Sequence, residues 1–242
     1  MNRIINFANR NIKEIVRDPL SIVFASVLPL FLLFIFNQFN IPNEVYKLEN
    51  FTPGIIIFSF SFITMFTATL VAKDRTTSLL IRLGISPMKP YEYILGYVLS
   101  LIPLIILQDV LTVIVALLLG LKFSSGVVLM ILISLIISIL FISLGILIGC
   151  ITTDKSSAGI SSIIVQLVCF TSGMYFSVDM VGKTFKIICE VLPFKSSLNI
   201  LKNFMNNNLN LITSYDALIF SIYTILVTIL SCILFKKKMK GE

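Results

Sequence analysis

No histidine occurs in the 242 residues. That excludes Ser–His and Cys–His nucleophilic catalysis and every histidine-based metal site. Charge is scarce: Asp, Glu, Lys and Arg make up 13% of the chain, against about 25% in an ordinary soluble domain. Of the four cysteines, Cys150, Cys169 and Cys232 fall in apolar runs and Cys189 stands apart, with no CxxC spacing. Neither a disulfide framework nor a zinc site is indicated. No carboxylate pair sits at helical spacing inside an apolar run, so a membrane enzyme lacks its acid–base groups. Gly182-Lys183-Thr184 has the ending of a phosphate-binding loop, but the pattern needs glycine at position 177, where Ser177 stands. The chain itself is therefore not expected to hydrolyse ATP. There is no solenoid-period repeat and no low-complexity linker, which leaves one domain.

What is present is apolar. Hydrophobic residues make up 57% of the chain and collect in runs of the length that crosses a bilayer as helix, about 20 residues. Backbone groups in lipid must be satisfied within their own segment, so such runs are helices. The expected fold is an all-α integral membrane protein with six spans, at residues 20–36, 51–72, 93–119, 127–151, 158–178 and 215–235. The first run does not read as a signal peptide, because 19 residues precede it and no small-residue cleavage site follows "FLLFIFNQFN".

The basic residues orient these spans. Arg3, Arg10, Lys13 and Arg17, the four in the 73–92 loop, Lys155 and the tail "KKKMK" fall on one side; Lys47, Lys122 and four lysines in 179–214 fall on the other. The richer side is cytoplasmic. A multi-pass cell-membrane protein with both termini in the cytoplasm follows. The net charge of +7 is a topology signal, and no nucleic acid is expected as a partner.

Three segments outside the spans have helical periodicity. In residues 1–19, Ile4, Ile5, Ala8, Ile12, Ile15 and Val16 share a face opposite Arg3, Asn6, Arg10, Lys13 and Arg17, the pattern of an interfacial helix in contact with membrane lipid. In 179–214, Val181, Phe185, Ile188, Cys189 and Leu192 precede Pro193, and Leu198, Leu201, Phe204 and Met205 follow it, with Ser196 or Ser197 as a candidate cap. Both pieces are too short to span, which predicts an outer re-entrant helical hairpin. In the 73–92 loop, leucines and an isoleucine at helical spacing lie between Arg75 and Arg82.

This arrangement resembles the permease subunit of type-2 ABC exporters over essentially the whole chain. The resemblance is carried by Asp74-Arg75, Thr76-Thr77-Ser78, Leu79-Leu80, Arg82-Leu83, Ser86-Pro87 and Gly96, with "FTPG" at 51–54 and "LPFKSS" at 192–197. Thr77-Ser78-Leu79-Leu80 stands where many relatives have Gly-Thr-Leu-Glu. The resemblance implies a single permease domain, 1–242: interfacial helix 1–19, spans one to five over 20–178 with coupling loop 73–92, outer hairpin 179–214, and span six with a basic tail at 215–242. It also implies a coupling helix formed by Arg75, Thr76, Thr77, Ser78, Leu79, Leu80, Arg82 and Leu83, gripped by a cytoplasmic ABC ATPase subunit. That subunit, and not this chain, would bind ATP and magnesium. A second permease copy or a paralogue would complete the membrane part, and the activity implied is outward movement of a small hydrophobic or amphiphilic cargo (a drug, peptide or lipid-like molecule).

The candidate path residues are the deep polar ones. Asp109 is the charged residue well inside a span, Gln108 adjoins it, and Gln166 lies in the fifth run. Intramembrane charges face a cavity or a partner, so Asp109 is expected to line the outer end of the path or to bond Lys183, Lys186 or Lys195. Ser134, Ser138, Gly145 and Gly149 form a small-residue stripe read as helix packing. The alternative reading, a self-contained channel or secondary transporter, requires paired charges or broken helices at matching positions in two halves.

Overall fold

The computed structural model describes residues 2–39, 44–76, 89–176, 180, 182–208 and 214–239. Among the described residues every secondary-structure element is a helix: α1 Asn2–Val16, α2 Pro19–Gln38, a short 3-10 turn Glu44–Tyr46, α3 Leu48–Thr76, α4 Pro90–Leu118, α5 Ser125–Ile151, α6 Asp154–Thr171, α7 Lys183–Val191, α8 Pro193–Met205 and α9 Ser214–Met239. By length and composition α3, α4, α5 and α9 can each cross a membrane. Their apolar residues point outward as well as inward. Ile106, Ile114, Leu132, Ile136, Leu218 and Ile225 are all exposed, which suits a bundle whose solvent is lipid.

The central element is α3, with Phe51 to Ser61 buried without a break. It packs against α2, α4, α5, α6 and α8. Against α5 the approach is close. A Cβ on Gly145 would stand 2.5 Å from Thr67 and 2.6 Å from the Thr64 carbonyl oxygen, and one on Gly149 would stand 2.7 Å from the Ala68 carbonyl oxygen. Thr64 donates to the Phe141 carbonyl across the same interface at 2.9 Å. The small-residue stripe is thus helix packing at Gly145 and Gly149, as the spacing indicates.

Three segments differ from the sequence reading. The fifth run was expected to reach 178, but α6 ends at Thr171, because Gly173 takes φ +79° and a glycine in that conformation terminates a helix. The coupling loop was placed at 73–92, but α3 runs on to Thr76. The second short helix of the 179–214 segment starts at Pro193, not at a serine cap. Proline suits the first helical position, and Ser197 Oγ instead donates back to the Pro193 carbonyl at 2.7 Å. The hairpin is formed by α7 and α8. Its α8 packs on α3, α5 and α9, and the backbone of Met205 comes so close to Gly126 that a Cβ there would meet its carbonyl oxygen at 2.0 Å.

Candidate functional site

Asp74 lies in the last turn of α3 and is fully buried. A buried carboxylate needs a cation and donors, and two neighbouring helices supply them. From α1, Arg10 makes a bidentate pair, Nη2 to Oδ1 at 2.6 Å and Nη1 to Oδ2 at 2.8 Å. From α4, the Tyr97 hydroxyl donates to Oδ2 at 2.8 Å. Planar two-point contact is the strong form of this pairing. Burial acts against the charged guanidinium of Arg10, but the hydrogen bond and charge of Asp74 outweigh it, and Arg10 ends above its ordinary value. Beside it, Lys73 pairs with Glu14; the hydrogen bond from Lys73 holds Glu14 below the ordinary carboxylate range, although partial burial opposes it.

Aromatic packing seats α1 on this cluster. Phe7 meets Tyr93 and Tyr97 edge-on at 5.4 and 5.1 Å. Gly96 makes room, since a Cβ there would stand 2.5 Å from the Phe7 ring. Phe235, near the end of α9, packs on the same two tyrosines. So α1 and the end of α9 meet at one end of the bundle.

Arg75 points elsewhere. Its Nη1 donates to the carbonyls of Gly149, Cys150 and Thr152 at 2.9, 2.6 and 2.9 Å. These belong to the terminal turn of α5 and to Thr152, the residue that caps it, where carbonyls lack partners within the helix and a cation is favoured. Thr76 donates to the Lys73 carbonyl. Thr77, Ser78, Leu79, Leu80, Arg82 and Leu83, the remaining coupling residues, lie outside the described residues. The backbone N–H of Lys89 donates to Glu92 at 2.6 Å, with Pro90 opening α4. Segment 77–88 is therefore rooted at both ends, through Asp74 and Arg75 on one side and a capped helix start on the other.

At the same end of the bundle a pocket of about 220 Å³ opens between α1, α3 and α6, lined by Glu14, Ile15, Asp18, Phe66, Thr69, Leu70, Lys73 and Asp154. It combines an apolar wall with several charges.

The three deep polar residues do not converge. Gln108 donates to the Ala25 carbonyl of α2 at 3.3 Å. Asp109 is fully buried and takes Ser134 of α5 at 2.5 Å. Gln166 is exposed on the outward face of α6. The expected bond from Asp109 to a hairpin lysine is corrected here. Among the described residues it has no lysine partner, Lys195 pairs with Glu190, and the hairpin packs on α3, α5 and α9.

Arg10, Tyr97, Phe7 and buried Asn11 were not singled out by the sequence. One signal was available: Asp74 is an acid at the end of a long apolar run, and such an acid requires a cation from another element. The family model described as ABC-2 type transporter matches residues 3–206, a stretch that takes in α1 to α8. No curated protein matches the chain.

Proposed function

The chain belongs to the ABC-2 type transporter family, and from that premise we propose that this membrane permease subunit exports a small hydrophobic or amphiphilic cargo when a separate cytoplasmic ATPase grips segment 77–88. The observation that carries the reading is the double rooting of that segment. Arg10, Asp74 and Tyr97 join the end of α3 to α1 and α4, and Arg75 joins it to α5. A push on the segment therefore reaches four helices at once, which is what a force contact needs. The acting chemistry, ATP with magnesium, belongs to the partner subunit.

Further features support the membrane arrangement. With α2 at 20 residues and α6 at 18, a rise of about 1.5 Å per residue gives about 30 and 27 Å, close to the hydrocarbon thickness of about 30 Å. Together with α3, α4, α5 and α9 this makes six crossings. An even number fits the meeting of α1 with the end of α9, and the basic residues there favour the cytoplasmic side. On α1, exposed Ile5 and Val16 flank the buried Phe7, Ala8 and Ile15, while Arg3, Lys13 and Arg17 are exposed; this suits a helix half in the interface. The outward face of α6 carries Ala158, Gly159, Ser162 and Gln166. A glutamine is costly against lipid and small residues permit close approach, so this face suits a second permease and the path between the two.

The test is transport in inverted membrane vesicles containing the permease and its ATPase. Uptake of a fluorescent amphiphile is expected with ATP and not with a non-hydrolysable analogue. Uptake by this chain alone, driven by an ion gradient, would establish a secondary transporter instead.

A further inference from the structure

The outward face of α1 carries two adjoining rows of side chains. Asn6, Asn9, Lys13 and Arg17 follow one another at helical spacing and are all exposed. Arg17 keeps the register because its backbone N–H bonds the Lys13 carbonyl at 3.2 Å. Beside them run Ile5 and Val16, 45% and 64% exposed, with half-buried Ile12 between. Phe7, Ala8, Asn11 and Ile15 form the opposite, buried side. A concavity of about 500 Å³ follows the polar row, lined by Asn6, Asn9, Arg10, Lys13, Glu14 and Arg17. Glu14, the one acid in that lining, is taken by Lys73, and Arg10 by Asp74. Among the described residues neither Lys13 nor Arg17 has an ion pair of its own. We propose that this face of α1 is a binding site for an acidic phospholipid. The phosphate lies on Lys13 and Arg17, Asn6 and Asn9 donate to its oxygens, and an acyl chain covers Ile5, Ile12 and Val16.

Charge and shape together select this occupant. A neutral lipid covers the apolar row but leaves two cations unmatched. A free phosphate, or an acidic protein surface, matches the cations but leaves exposed isoleucine and valine in water. An amphiphile with an anionic head satisfies both rows at once, and a lysine or arginine at an acidic bilayer surface favours association about fivefold each. Exposed Lys236 and Lys237, which follow Phe235 at the end of α9, add positive charge at the same end of the bundle. The site rests on the reading of α1 as a helix half in the interface. Its consequence lies one helical turn away from Lys13. There Arg10 grips Asp74, so the lipid head sits beside the root of segment 77–88.

The chain has no tryptophan, so Val16→Trp supplies a single fluorescent reporter on the apolar row. The purified permease, without ATPase or cargo, is placed in vesicles of phosphatidylcholine and phosphatidylglycerol in equal parts, with acyl-chain bromine carried by one lipid or the other. Brominated phosphatidylglycerol is expected to quench the reporter more strongly, with a local preference of about fivefold or more. Lys13→Gln with Arg17→Gln should remove that preference while melting like the parent. Salt at about 1 M, where screening shortens to about 3 Å, should remove it too. Equal quenching by the two lipids would overturn the site while leaving α1 in the interface. No quenching by either would overturn the interfacial placement and the site with it. Equal quenching, together with loss of the ATPase from the Lys13→Gln and Arg17→Gln permease, would give the basic row to the ATPase instead. Should Val16→Trp not fold, Ile5→Trp reads the same row.

Discussion

Asp74 has no exposure, while the Arg10 side chain that matches its charge is 34% exposed. The two ends of this pair are therefore unequal. Arg10→Gln leaves a buried carboxylate without its guanidinium, whereas Asp74→Asn leaves a cation that can turn to water. Hydrogen bonds to charged groups are worth about 1.5–3 kcal/mol. Arg10→Gln is expected to destabilise by about that amount, Asp74→Asn by less, and the double variant by less than the sum of the two, because neighbours that share an interaction are not additive. Thermal unfolding of the four proteins checks the cycle; additive losses would show that the pair contributes nothing. Charge-to-alanine changes at exposed Lys13 or Arg17 should leave stability within about 0.5 kcal/mol.

At the scale of elements, the interface between α3 and α5 is set by residues too small to hold the helices apart. Gly145→Ala would place a Cβ on the backbone of Thr64 and on Thr67, and overpacking of this kind costs about 1–3 kcal/mol. Gly159→Ala on α6 meets nothing within 4 Å. It should be neutral to stabilising in the isolated permease, since alanine is the better helix former. Comparison of melting temperatures in detergent separates the two, and equal effects would contradict the packing.

Much of this architecture was legible because apolar runs of bilayer length leave the backbone few options. The spans at α3, α4, α5 and α9, the hairpin broken at Pro193, and the stripe of Gly145 and Gly149 all follow from local pattern. What was not legible depends on partners far apart in sequence. Arg10 and Asp74 are 64 residues apart, and nothing local marks Arg10 among the basic residues of α1. Asn11 and Phe7 are buried although the first was not marked and the second lies outside the expected apolar face; α1 turns that side towards Gly96 and Tyr97. The resemblance implies Arg75 as a residue for an external partner, yet the carbonyls of Gly149 and Cys150 in α5 and of Thr152 just after it take it. The lysine expected for Asp109 failed similarly, since periodicity says nothing about which helix packs beside which.

For the whole molecule, sidedness can be checked with two exposed lysines. Lys122 lies in the turn between α4 and α5, and Lys155 in the first turn of α6. The native cysteines are buried or half-buried, so after their replacement a membrane-impermeant thiol reagent should label Lys122→Cys in intact cells and Lys155→Cys only in permeabilised ones. The reverse pattern would invert the orientation. The central claim is that segment 77–88 transmits the work of a separate ATPase, and the direct measurement is co-purification of that ATPase with Leu80→Asp. A carboxylate introduced into an apolar contact costs several kcal/mol unless it finds a partner or a proton. The variant permease should insert normally and melt like the wild type, but lose the ATPase and ATP-dependent transport. Wild-type recovery of the ATPase with undiminished transport would contradict the claim.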